Sequence, residues 1–249
     1  MIDRGELDKI AKLNNLRSWQ QEKHYVQSVI LVALSEFPIV FKGGTYLWFF
    51  HRLNRFSEDL DFTSAGKLPE NLGEIVSENL GLFGIENELK AGKKSDASLS
   101  FRIGAKGPLH TSPKHACFVY IEISTRENVL MRPLALQVDF PYYDLPLKVI
   151  NGMALEEVGA EKVRAIMTRE KARDVFDLAY LIKEKNIGFR LEMVNEKLKY
   201  YDMEFSESLF GKKVAEKKSV WKAELKQFIA GELPDFESAE KSLVPWAGD

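Results

Sequence analysis

The stretch Lys42–Phe62, KGGTYLWFFHRLNRFSEDLDF, constrains this chain more than any other, because it asks for a turn, a helix and a second strand in quick succession. The apolar run from Pro38 to Phe41 ahead of it reads as a buried strand. Gly43-Gly44 then allows a tight turn with close backbone approach to a ligand, and Thr45 stands where the N-cap of the next helix is expected. Backbone N–H groups of a glycine turn at a helix N-terminus form a cradle for phosphate oxygens. After the helix, Ser57-Glu58-Asp59-Leu60-Asp61-Phe62 alternates, which turns Asp59 and Asp61 to one face and Leu60 and Phe62 to the core. Two carboxylates held this close repel, and one takes up a proton. A hard divalent cation with a preference for oxygen ligands lets both ionise.

Composition excludes several alternatives. The 249 residues are 45% hydrophobic and 29% charged, enough for a substantial core in one large or two small units. The net charge is −2 from 35 basic and 37 acidic residues, so any contact with nucleic acid has to come from a local patch. Cys117 is the only cysteine, and His24, His51, His110 and His115 show no zinc-ligand spacing, which disfavours a disulfide framework or zinc site and fits a reducing cytoplasm. The first residues lack the basic and apolar segments of a signal peptide. The longest apolar runs fall short of the roughly 20 residues of a membrane span, so no membrane partner is expected.

Along the chain, Asp3 with Glu6 and Ser18 with Gln21 form candidate capping boxes for two helices. Glu70–Leu82 reads as a helix, Ile85–Leu89 as an alternating strand, and Gly92–Asp96, within the polar run Lys90–Ala97, as a solvated hairpin leading to a strand over Ser98–Ala105. Lys106–His115, with two prolines and a glycine, reads as a mobile loop. In Cys117–Ser124, Val119, Ile121 and Ile123 face one way and Tyr120, Glu122 and Ser124 the other. Leu136–Tyr142 sets Asp139 opposite Leu136, Val138 and Phe140. At about Leu155 the periodicity becomes helical. In Leu155–Met167 the apolar stripe Leu155, Val158, Ile166 is completed by Lys162, which on spacing alone reads as a snorkelling side chain with a wet ammonium. The next helix, Lys171–Ile182, carries Asp174 and Asp177 one turn apart among apolar residues. Arg169 and Arg173, a metal or a substrate hydroxyl are the expected partners. Two more helices are expected over Arg190–Phe228, where Lys212, Lys213, Lys217, Lys218, Lys222 and Lys226 form the most basic stretch, either solvated or tracking an RNA backbone. The tail from Gly231 reads as loosely held.

The G-G-T turn, the helix, R-F-S and D-L-D in this order resemble the polymerase-β-like nucleotidyltransferase superfamily, and within it the AbiEii/AbiGii-type toxin branch. The resemblance is close over Lys42–Phe62 and returns over Leu155–Ile182, where E-E-V-G-A-E-K-V-R-A-I-M-T-R and R-D-V-F-D-L look like the family's later motifs. It implies an α+β fold: a nucleotidyltransferase-like mixed β-sheet flanked by helices over residues 1–154, and a helical C-terminal domain over 155–249, with the active site between them. The implied reaction moves a nucleoside monophosphate from an NTP to a hydroxyl. Asp59 and Asp61 would be joined by a third carboxylate from a neighbouring strand, Glu122 in preference to Asp139, although aspartate is usual there. The three would hold two Mg²⁺ ions, or Mn²⁺, about 3.5 to 4 Å apart. Lys42, Gly43, Gly44 and Thr45 would bind the phosphates with Lys162, Arg55 and Ser57 would support them, and Asp177 would orient Lys162 or assist deprotonation. Such proteins often modify RNA, tRNA in particular, under control of an antitoxin from a neighbouring gene. A small-molecule nucleotidyltransferase of the antibiotic-modifying kind and a non-catalytic nucleotide- or RNA-binding protein of the same fold are the alternatives.

Overall fold

The computed structural model describes residues 1–95, 97–229 and 231–247, and only the backbone of Lys93, Lys94, Val244 and Pro245. Asp96, the last residue of the expected polar hairpin run before Ala97, lies outside the described residues. The chain forms two compact units, each discontinuous in sequence: Met1–Phe50, Glu58–Val129 and Pro133–Gly152 make the first, and His51–Ser57, Leu130–Arg132 and Met153–Asp249 the second.

The first unit is a seven-stranded mixed sheet, β1 (Ile39–Lys42), β2 (Leu60–Ser64), β3 (Asn87–Ser95), β4 (Ser98–Ala105), β5 (Cys117–Ser124), β6 (Leu134–Val138) and β7 (Lys148–Gly152), in the order β3-β4-β5-β2-β1-β7-β6. Pairs β2–β5 and β1–β7 are parallel and the remaining four are antiparallel. Alternation along the strands creates one apolar face, on which Phe41, Phe62, Ile121, Ile123, Phe101 and Ile103 are all buried. Phe41 and Phe62 are register partners and stack with ring centroids 4.9 Å apart. The sheet is served by α1 (Arg4–Leu13), α2 (Ser18–Leu34), α3 (Gly43–His51) and α4 (Leu72–Leu82). Gly73 of α4 comes so near the apolar face that a Cβ there would lie 3.1 Å from Leu89 and 3.4 Å from Phe101.

Local chemistry explains where the expected boundaries move. Asp3 and Glu6 form their reciprocal cap. The second box is shifted by one residue: the Gln20 side chain accepts from the Arg17 N–H at 3.0 Å, while Ser18 Oγ donates to Asp8 and Gln21 binds Asn14 and the Tyr143 hydroxyl. Strand β6 starts and ends earlier than its alternation suggests, and Asp139 follows its last residue. The loop expected to be mobile is tied down by Glu22, whose carboxylate accepts from the Leu109 N–H at 2.7 Å, and it contains a 3-10 turn at Pro113–His115.

His24 sits among Trp48, Phe49, Phe140 and Tyr143, with its Nδ1 2.8 Å from the Tyr143 hydroxyl. Burial pushes its pKa down to about 3. The unfolded chain therefore binds a proton near pH 6.5 that the folded chain refuses, so stability present above that pH is lost as pH falls from about 6.5 towards 3. The loss is expected to be no more than about 1.4 kcal/mol per pH unit. His51, lowered to about 4 by burial and by Lys185, adds in the same direction. Urea midpoints measured from neutral to mildly acidic pH should show a shallower dependence in His24→Asn than in the parent. Parallel curves would remove His24 from this account.

The second unit contains α5 (Leu155–Thr168), α6 (Ala172–Lys185), α7 (Leu191–Leu198), α8 (Glu207–Glu216), α9 (Lys218–Leu225) and α10 (Phe236–Trp246). Its core includes Val158, Val163, Ile166, Leu178, Phe210, Trp221 and Leu225. Two expectations are corrected here. Arg190–Phe228 forms three helices, and the break between α8 and α9 falls at Lys217, whose side chain turns inward to donate to the Ile166 carbonyl at 2.8 Å. The tail is not loose: α10 buries Phe236, Ala239 and Leu243 at its helical spacing. Among the described residues, no helix is long and apolar enough to cross a membrane.

Candidate active site

In the first unit the candidate residues collect on the polar side of the sheet. Antiparallel register pairs Lys42 of β1 with Asp61 of β2, and parallel register pairs Asp61 with Glu122 of β5. Register partners project to the same face on strands about 4.8 Å apart, so Asp61 and Glu122 stand side by side. Asp139 follows the edge strand β6, which β7 and β1 separate from β2. The neighbour of Asp61 is therefore Glu122. Asp59 lies just before β2, half-buried, and its backbone carbonyl accepts a hydrogen bond from the Thr45 hydroxyl.

That bond corrects the expectation for Thr45. It is not an N-cap, because α3 already starts at Gly43. Thr45 is fully buried inside the helix, and its hydroxyl fixes the backbone at Asp59. Gly43 has the turn role alone, and the reason is measurable: its φ is +80°, and a Cβ would lie 2.5 Å from Asp61 Oδ2. An L side chain is excluded by backbone conformation and by space together. Lys42 is buried, with its ammonium 3.5 Å from Glu127 Oε2.

Gly43 lets the backbone come close to Asp61 Oδ2, and Asp61, its register partner Glu122 and the adjoining Asp59 supply carboxylates from neighbouring positions. This is the donor chemistry that suits Mg²⁺. Among the described residues no three His, Cys, Asp or Glu side chains already converge on one point. The residue types fit such an ion, and the side chains have to rotate towards it.

In the second unit, α5, α6 and residues 51–57 build a buried ionic network. Arg55 donates to both oxygens of Asp177, at 2.7 and 2.8 Å. Lys162 Nζ lies 2.6 Å from Asp177 Oδ2 and 2.9 Å from Asp174 Oδ1. Arg169 closes the network with two bonds to Asp174, at 2.7 and 2.8 Å. Asp174 and Asp177 are completely buried, and Arg55 and Lys162 are 3% and 6% exposed. Burial alone would raise both carboxyls. Lys162 and Arg169 at Asp174, and Arg55 and Lys162 at Asp177, outweigh it and hold both below the ordinary carboxylate range.

The ammonium of Lys162 is thus not in water, as snorkelling required. Arg169 is a partner as expected, whereas the guanidinium on Asp177 belongs to Arg55 and not to Arg173. Ser57 is buried next to this network in sequence. Of the six lysines of the basic stretch three have partners: Lys213 pairs with Glu216 at 2.8 Å, Lys218 pairs with Glu237 at 2.6 Å, and the buried Lys217 donates to the Ile166 carbonyl.

Three comparisons bear on this arrangement. The family model described as nucleotidyl transferase AbiEii toxin, Type IV TA system, matches residues 30–242. No curated protein matches the sequence. Among solved structures, a candidate nucleotidyltransferase from H. pylori is similar with a TM-score of 0.65 and 23% identity, covering 94% of this chain and 95% of that one. JHP933 from Helicobacter pylori gives 0.62 and 22% over 92% and 90%. MenT4, a nucleotidyltransferase toxin from Mycobacterium tuberculosis H37Rv, gives 0.51 and 20% over 94% and 76%. At these identities the likeness is one of fold, here a mixed sheet with flanking helices.

Proposed function

Because the chain belongs to the nucleotidyl transferase AbiEii toxin family of type IV toxin–antitoxin systems, and is therefore a nucleotidyltransferase, we propose that it transfers a nucleoside monophosphate from an NTP to a hydroxyl of RNA, such as a tRNA 3′ end. The observation that carries this reading is the pairing of Asp61 with Glu122 in parallel register, beside a glycine that lets the backbone come close to Asp61 Oδ2.

In this reading Asp59, Asp61 and Glu122 would hold two Mg²⁺ ions, with Mn²⁺ as the substitute. Bound there, the metal would neutralise triphosphate charge and acidify the attacking hydroxyl. The backbone N–H groups of Gly43 and Gly44, at the start of α3, take the β- and γ-phosphate oxygens. Lys42 adds a positive charge from the adjacent strand. Thr45 keeps the backbone at Asp59 in place. The acceptor oxygen forms a bond to the α-phosphorus, the α–β bridge breaks, and pyrophosphate departs with the hydroxyl proton passing to a neighbouring base. In the second unit, Asp177 acts as a positioning residue for Lys162 and Arg55, and the family resemblance assigns Lys162 to phosphate. Ser57 supports the same segment as Arg55. The family's pairing with antitoxins supports a protein partner for this chain too.

Incubation with RNA and each NTP in turn, followed by sequencing of the RNA 3′ ends, tests the reading. Extended ends with one NTP, absent in EDTA, are the expected result. Unextended RNA accompanied by nucleotide transfer to a small hydroxylated molecule would move the protein to the antibiotic-modifying class. No transfer to any acceptor would leave a nucleotide-binding protein.

A further inference from the structure

The polar side of the sheet does not end at Glu122. Along β5 the same face carries Tyr120 and Phe118, successive partners in one row at a pitch of about 6.6 Å. Tyr120 is 53% exposed and Phe118 is 36% exposed. Neither ring contributes to the apolar core on the opposite face. Both are nevertheless held in place. Arg102, the register partner of Tyr120 on β4, sets its guanidinium carbon 4.4 Å from the Phe118 ring centroid and 5.8 Å from that of Tyr120. Gly104, the partner of Phe118, lets that ring lie across the strand, because a Cβ there would meet it at 3.0 Å. Lys90 of β3 pairs with Arg102 and adds a second, exposed cation on the same face, with Glu88 beyond it next to Gly104.

We infer that this face is a binding platform for single-stranded RNA, on which unpaired bases stack on Tyr120 and Phe118 while Arg102 and Lys90 meet the backbone phosphates. Open sheets that display aromatic rings and arginine planes take unpaired bases in this way, since every base has a π-face and the cations balance its phosphate. The row runs directly into Glu122 and Asp61, so a strand stacked on it would lead its end to the carboxylates. The inference deepens the reading of those carboxylates as the transfer site and rests on it for that direction only. It also supplies a local patch that is both basic and aromatic, in a protein whose net charge is −2.

The test is binding of a short fluorescein-labelled single-stranded oligoribonucleotide of mixed sequence, followed by anisotropy at fixed salt in EDTA without NTP, so that no chemistry is required. Tyr120→Ala should weaken binding by about fivefold to 100-fold, the effect of losing one stacked base, and Tyr120→Leu should weaken it as much because an apolar side chain cannot replace the ring. Tyr120→Phe should stay within about twofold of the parent. Thermal melts of all three should match the parent, since this side chain is mostly in water. A parent that does not bind the oligoribonucleotide, or a Leu variant that binds like the parent, overturns the platform. So does a parent dimer in sedimentation that Tyr120→Ala dissociates, which would make a second copy the occupant. The two readings fail separately. Transfer to RNA that Tyr120→Ala leaves unchanged sinks the platform alone, whereas ring-dependent binding without any transfer by the parent sinks the proposed reaction alone.

Discussion

Asp177→Asn is expected to lower the free energy of unfolding by about 3–5 kcal/mol, a large fraction of what holds a domain together. Asp177 is fully buried, and its two oxygens receive Arg55 twice and Lys162 once. The amide keeps the shape and removes the charge, so two cations that are themselves 3% and 6% exposed lose the carboxylate that compensates their desolvation. Lys162→Met provides the contrast. It deletes one cation, but Asp174 keeps Arg169 and Asp177 keeps Arg55, so the cost should be only about 1–2 kcal/mol. Urea unfolding of both variants at neutral pH measures this. If Asp177→Asn is as stable as the parent, the network is not holding α5 to α6, and Asp177 returns to the list of reacting groups. The pH dependence carries the same sign: both carboxyls are held low, so their contribution is present above the ordinary range near pH 4 and fades as pH falls below it.

Asp61→Asn should do the opposite, removing activity and leaving the fold. Among the described residues the Asp61 side chain makes no hydrogen bond or ion pair, so an isosteric amide costs the sheet about 0.5 kcal/mol or less. Nucleotide transfer should fall by about 10²- to 10³-fold or more, because an amide is a poor substitute for an anionic ligand where phosphate charge has to be balanced. Melts in EDTA and initial rates with excess Mg²⁺ separate the two effects. A variant that melts far below the parent without metal would show Asp61 to be a structural acid.

Much of the first unit was legible because its signals are local. Alternation in Cys117–Ser124 and Ser98–Ala105 fixed both strands to the residue, and the order of turn, helix and D-L-D in Lys42–Phe62 carried the family. Strand β7 was not seen, since its five residues alternate only weakly and its buried partners lie on other strands. Thr45 looked like a cap because the sequence shows the residue type but not that Gly43 already begins the helix. The ionic network was half legible. Arg169 lies five residues from Asp174, across the short connection between α5 and α6, whereas Arg55 lies 122 residues from Asp177, and only tertiary structure joins them. Lys217 misled for a similar reason: a lysine among lysines reads as surface until the carbonyl of Ile166 is seen at its ammonium. Tyr120 was legible as a residue on the Glu122 face. That its ring stays in water, clamped by Arg102, depends on a neighbouring strand.

The central claim is that the carboxylates around Asp61 serve transfer of a nucleoside monophosphate, and isotopic labelling tests it most directly. Parallel incubations with RNA, Mg²⁺ and NTP labelled at the α- or the γ-phosphorus should place the α-label in the RNA and the γ-label in released pyrophosphate, with both signals lost in Asp61→Asn. Release of γ-label as inorganic phosphate with no α-label on any acceptor, or transfer that persists in Asp61→Asn, would contradict the account.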